Sequence, residues 1–138
     1  MDPRISFVTL GVTDLERATR FYADVLRLPQ KETPPEVAFF DLGGTYLSLW
    51  ARASLAEDAR VPDDGRPGAF AGFALAHNVH SIGAVDRIIA EVEAAGGRVT
   101  KPGTKTDWGG YAGYFADPDG FLWEIAYNPY LPHLATDG

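Results

Sequence analysis

Residues that could do chemistry are few in this chain. There is no cysteine, which removes disulfides, thiolate metal ligands and a cysteine nucleophile together. Only three histidines occur, His77, His80 and His133, so a histidine-rich metal site is difficult to build. Neither a Gly-x-Ser-x-Gly elbow nor a glycine-rich phosphate loop ending in Gly-Lys-Ser/Thr is present. Asp117-Pro118-Asp119-Gly120 suggests a calcium loop but lacks the length and the distal glutamate, so it reads as a hairpin turn. Asp107-Trp108-Gly109-Gly110-Tyr111 is more promising. Two glycines between aromatic residues let the backbone bend sharply and approach a ligand closely, which favours Trp108 and Tyr111 as rim or lid residues over an ordinary turn.

Composition sets the bounds. A chain of 138 residues with 46% hydrophobic and 22% charged residues is long enough and apolar enough for one ordinary folded domain. No apolar run approaches the roughly 18 residues of a membrane span. The start, Met1-Asp2-Pro3-Arg4, lacks a signal peptide's pattern, so a cytoplasmic location is expected. A net charge of -7 and a pI near 4.8 argue against nucleic acid as partner. The same acidity keeps a protein soluble, and it would also attract a cationic small molecule.

Strands and helices must position whatever site exists. Residues 5–12 form a short β-branched and aromatic run that predicts a buried strand. Thr13-Asp14-Leu15-Glu16 has capping-box spacing with Thr13 at the cap. Leu15, Ala18, Tyr22, Val25 and Leu26 follow at helical spacing, and Pro29 with the Pro34-Pro35 pair ends the helix. A short strand is expected near residues 30–32. Residues 37–42 and 46–50 predict a hairpin turned at Gly43-Gly44. Residues 53–69 have acidic residues, prolines and glycines without an apolar period, and predict a linker or mobile loop.

The order then recurs. A strand is expected over 70–79, then a helix with Val85, Ile88, Ile89 and Val92 on one face, stopped by Gly96-Gly97. A strand over 98–101 stops before Pro102, and 111–116 pairs with 121–127 as a second hairpin. Sliding the sequence by 76 residues lays Phe39 on Phe115, Asp41 on Asp117, Gly44 on Gly120 and Leu49 on Ile125 without a gap; a slide of 67 lays Val12 on Val79. Each unit leaves an apolar sheet face that needs a partner. The expected fold is therefore α+β: two βαβββ modules in one chain forming a curled sheet around a central cavity. Module one covers about 4–52, the linker about 53–69, module two about 70–128 and the tail 129–138.

Leu10-Gly11-Val12-Thr13-Asp14-Leu15, followed by Phe21-Tyr22, resembles the opening of vicinal oxygen chelate proteins. So does Gly113-Tyr114-Phe115-Ala116-Asp117-Pro118-Asp119-Gly120-Phe121-Leu122-Trp123-Glu124-Ile125. This superfamily includes glyoxalase I, extradiol dioxygenases, fosfomycin-inactivating transferases and bleomycin-binding resistance proteins; the likeness is greatest to its glyoxalase/bleomycin-resistance-like branch. The resemblance implies paired βαβββ modules around a cavity and a homodimer. In metal-dependent members it also implies four ligands, one from the first and one from the last strand of each module. Matched by local motif, those positions are Phe7, Ser48, Ala74 and Glu124. Phenylalanine and alanine offer no lone pair, and a neutral serine hydroxyl binds divalent ions poorly. The usual metal site is thus expected to be lost, with no cofactor, unless His77, His80 and Asp107 supply a non-standard set.

Alternation along the strands extends the cavity face from these four positions. Thr9 lies beside Phe7, Tyr46 and Trp50 beside Ser48, Ala76 and Asn78 beside Ala74, and Leu122 and Ala126 beside Glu124. An aromatic and small-residue lining suits a flat ligand held by stacking, with Glu124 as hydrogen-bond or cation anchor. Tyr46 and Trp50 serve equally as pocket walls or as plain core. His77, of opposite parity to Ala76, is expected on the helix layer, and His80 at the surface. The leading expectation is a metal-free, sequestering binder of a small aromatic or cationic compound. A metal-independent isomerase, lyase or hydrolase would use Glu124 as acid or base and Tyr46 as donor. A scaffold with a filled cavity, and a divalent-metal glyoxalase or dioxygenase with non-standard ligands, complete the alternatives.

Overall fold

The computed structural model describes residues 1–66 and 68–138. The chain divides into two compact units, Met1–Pro67 and Gly68–Gly138. Their boundary falls inside the expected linker; Pro67, part of that expectation, lies outside the described residues.

The first unit runs β1 (Phe7–Val12), α1 (Leu15–Arg20), a π-helical turn (Phe21–Val25), β2 (Gln30–Lys31), β3 (Val37–Asp41), β4 (Tyr46–Ala51) and α2 (Arg52–Ala59). Its sheet has the order β1-β4-β3-β2, with β1 parallel to β4 and the remaining pairs antiparallel. Leu10, Val12, Ala38, Phe40, Leu47 and Leu49 are buried on the helix side, where the Tyr22 ring meets Phe40 at 5.9 Å. Each large apolar side chain so buried contributes about 1.5–3 kcal/mol, which fixes which face of the sheet looks away.

Two expectations change here. The α1 cap is Asp14, whose extended backbone lets its carboxylate accept from Arg17 N at 2.9 Å; Thr13 instead accepts from the Arg17 guanidinium. The stretch expected as a linker or mobile loop starts inside α2. This helix buries no residue, so it has no apolar stripe to read, and Arg60 in the left-handed region (φ 57) ends it. Its start packs against β1, where a Cβ on Gly11 would lie 3.2 Å from Arg52 Cα. Tertiary contact, not periodicity, makes this helix.

The second unit runs β5 (Ala74–Val79), α3 (Ile82–Ala94), β6 (Arg98–Lys105), β7 (Tyr111–Ala116), β8 (Leu122–Tyr127) and a 3-10 turn (Pro132–Leu134). Its sheet order, β5-β8-β7-β6, repeats that of the first. Ser81 caps α3 by accepting from Ala84 N at 3.1 Å, and Val85, Ile89 and Val92 are buried. β5 starts at Ala74 and not at Phe70, since Phe70 and Phe73 are exposed. β6 continues through Pro102 because it is an edge strand; its register breaks on both sides of Lys101, so the missing N–H costs no ladder bond. The tail is not free of structure: Thr136 bridges Val79, donates its N–H to Asn78 O and accepts from His80 N.

The repeat is real in topology but not gapless. Residues 117–121 separate the paired Ala116 and Leu122, whereas 42–45 separate Asp41 and Tyr46, so the second turn is one residue longer. One residue inverts the facing of a strand. Phe39 sits opposite Ser48, and its counterpart opposite Glu124 is Tyr114. Phe115 lies on the other face, stacked on Trp123. Among the described residues no helix is long and apolar enough to cross a membrane.

Candidate functional site

In the first unit, the face turned away from α1 carries Phe7 and Thr9 from β1, Tyr46, Ser48 and Trp50 from β4, and Phe39 from β3. All five residues expected there share that face. Phe39, not among the expected residues, completes a cluster of three rings: Phe7 to Phe39 at 5.2 Å, Phe7 to Tyr46 at 5.5 Å and Phe39 to Tyr46 at 6.2 Å. The rings meet tilted or edge-on, as aromatic quadrupoles prefer. Phe7 remains 49% exposed despite two aromatic neighbours, so the cluster is an apolar surface and not a closed core. Ser48, at 5% exposure, is buried among it.

In the second unit, the face turned away from α3 carries Glu124 and Ala74 together, as expected. Glu124 on β8 lies between Ala76 on β5 and Tyr114 on β7, with Leu122 and Ala126 on either side along its own strand. Ala112 and Ala116 belong to the same face. Tyr114, the second residue missed, donates its hydroxyl to Glu124 Oε2 at 2.7 Å. That hydrogen bond, helped by partial burial and the nearby negative charge, raises the Tyr114 pKa above 10.0, so the phenol keeps its proton at neutral pH. Within this unit, among the described residues, no cationic side chain pairs with the carboxylate. Lys101, next in the row beyond Tyr114, forms no ion pair there.

Other candidates lie elsewhere. Tyr111 departs from its expected place at the rim: it sits on the helix face and donates to Asp86 Oδ1 of α3 at 2.8 Å, a bond that raises its pKa. Tyr111 already belongs to β7, where alternation turns it to the face opposite Ala112 and Tyr114. Trp108 is 46% exposed in a turn closed by Gly110 N donating to Thr106 Oγ1, and its ring lies over Gly110, where no Cβ would fit. His77 is on the helix side, with Nε2 at 3.5 Å from Thr136 Oγ1. Burial lowers its pKa, opposed by a hydrogen bond with the Gly138 backbone. His80 and Asp107 are exposed. An open groove of about 870 Å³ lies between α1 and β2–β3, lined by Glu16, Arg20, Lys31 and Glu32 among others, and it contains none of the expected site residues.

The metal implied by the resemblance can be tested against these side chains. Phenyl and methyl groups stand at two of the matched positions, a buried hydroxyl at the third, and the one carboxylate is already bonded to Tyr114. No group of three or more His, Asp or Glu that could hold a metal occurs among the described residues, so His77, His80 and Asp107 do not form the alternative set. The donor set does not fit the group. What the second face offers is hydrogen-bond acceptors among methyl groups; what the first offers is exposed ring surface.

Residues 4–125 match the family model described as the Glyoxalase/Bleomycin resistance protein/Dioxygenase superfamily. No curated protein matches significantly. A glyoxalase-related enzyme from Fulvimarina pelagi is 38% identical, covering 92% of this chain and 89% of its own, with a TM-score of 0.82. A glyoxalase/bleomycin resistance protein/dioxygenase from Nocardioides is 25% identical over 92% of this chain and 84% of its own, with a TM-score of 0.80. A lactoylglutathione lyase from Agrobacterium tumefaciens is also 25% identical, over 91% and 94%, with a TM-score of 0.70.

Proposed function

The chain belongs to the glyoxalase/bleomycin resistance/dioxygenase superfamily, and from that premise we propose that it is a metal-free binder of a small aromatic or cationic compound, holding its ligand without changing it. One observation carries this reading. Where the family pattern asks for metal donors, the chain has Phe7, Ser48 and Ala74, and its remaining acid, Glu124, is engaged by Tyr114. Rings suited to stacking occupy the helix-free face of one unit and an acceptor pair that of the other. The net charge of -7 would draw a cation toward either. We further propose a homodimer, from the resemblance, and a cytoplasmic location, from the absence of a signal-peptide pattern in the sequence.

The test is a fluorescence titration of the full chain with proflavine, a flat aromatic cation, followed by recovery of the dye. Saturable binding with unaltered proflavine is expected. No saturation at millimolar dye, or a chemically altered dye, sinks the reading. The second reading, a metal-independent isomerase, lyase or hydrolase, is favoured by the Tyr114–Glu124 hydrogen bond, which pairs a carboxylate base with a phenol donor. It moves the donor role from Tyr46 to Tyr114. It requires an altered product from the chain and none from Glu124→Gln, with binding kept.

A further inference from the structure

The hydrogen-bond polarity of the Tyr114–Glu124 pair selects a narrower ligand class. An ionised carboxylate has no proton to give, and the single Tyr114 proton is already donated to Oε2 at 2.7 Å. What the pair itself still offers is acceptors only: Oε1, the free lone pair of Oε2 and those of the Tyr114 oxygen. The immediate neighbours of Glu124, Ala76, Ala126 and Leu122, add nothing polar; Asn78 and Lys101 lie one place further out on the same face. Ala76, beside Glu124 on β5, is exposed, so the carboxylate is approached over a methyl group. A ligand atom that brings an N–H finds a partner there; one that brings a lone pair meets another lone pair and loses its water with no return.

We propose that Tyr114 and Glu124 together form a donor-selective recognition site for planar amidinium or guanidinium groups, with Tyr114 as the specificity-determining residue. Two N–H groups of one planar cation meet two acceptors, one on the carboxylate and one on the phenol. Tyr114 also pins the carboxylate, so that Oε1 stays available. The raised Tyr114 pKa agrees with a phenol that never becomes an anion at neutral pH and so never trades its role. This inference rests on the binding reading above and gives that reading a chemical class.

Benzamidine, benzamide and benzoate share one planar shape while donors are exchanged for acceptors, so they isolate polarity from size. Calorimetric titration of the full chain is expected to give benzamidine an affinity at least about ten-fold above benzamide and more above benzoate, as a charge-assisted hydrogen bond warrants. Tyr114→Phe should weaken benzamidine about ten-fold and leave benzoate unchanged. Glu124→Gln, whose amide can donate, should bring the three within about three-fold of one another. Equal binding of the three compounds to the unaltered chain, with proflavine still bound, overturns this inference and leaves the binding reading intact. So does an equal loss for all three in Tyr114→Phe, the mark of a merely structural residue. Binding of neither benzamidine nor proflavine overturns both.

Discussion

A carboxylate set among methyl groups has only the partners that its own sheet brings to it. For Glu124 that partner is Tyr114, one strand away in register, and the bond leaves a signature in the tyrosine. Spectrophotometric titration of the six tyrosines should show one fewer late-ionising residue in Glu124→Gln than in the unaltered chain, because the raised Tyr114 pKa depends on that bond. An unchanged titration would mean that the pair does not exist in solution. Asp117 illustrates the opposite kind of acid, one spent on structure. At 4% exposure it accepts from Asp119 N at 2.9 Å and Phe121 N at 2.8 Å, closing the turn before β8. Asp117→Ala should cost about 2–3 kcal/mol, since two backbone donors lose their acceptor; a urea midpoint unmoved by the substitution would contradict it. The turn motif made Asp117 legible, and the Trp-Glu-Ile motif made Glu124 so. Tyr114 was not, because it lies on a strand that carries none of the four matched positions, and the gapless slide lays Phe39 on Phe115 instead of on Tyr114. A single extra turn residue reversed the parity.

Elements were legible where burial imposes a period and illegible where it does not. The α3 stripe of Val85, Ile89 and Val92 is buried as its spacing requires. The helix α2 buries nothing, so no pattern in its sequence betrays it. The tail was equally silent: Thr136 joins the outer edge of β5 through backbone atoms, which any residue supplies. The tail also bears on His77. Burial holds its folded-state pKa below 6.5. As pH falls, the unfolded chain therefore takes up the proton first, and stability is lost from about pH 6.5 downward through the folded pKa. Above that range the histidine is neutral in both states and contributes no pH dependence. His77→Gln should flatten the difference between urea midpoints at pH 7.5 and 5.5. Equal slopes in both proteins would show that the ring is solvated in the folded chain.

On the scale of the molecule, the two βαβββ units follow from the recurring order of strands and helices, and their matched sheet orders agree with it. The four positions that the resemblance matches to metal ligands keep their places in that pattern, and only Glu124 among them carries a strong donor. A divalent ion needs several donors at once, and here a benzyl group, a methyl group and a hydroxyl replace three of them. A lone carboxylate already accepting from a phenol is expected to hold such an ion with a Kd of about 1 mM or weaker. Native-state binding stabilises a fold by RT ln(1 + [L]/Kd), so 1 mM zinc, manganese or nickel should raise Tm by no more than about 1–2 °C. Protein prepared in chelator should melt where untreated protein does. A rise above about 5 °C with one of these ions would require a tight site. Its loss in Glu124→Gln would then place the metal on the one acid the face retains, and the donor-selective account of that acid would fall with it.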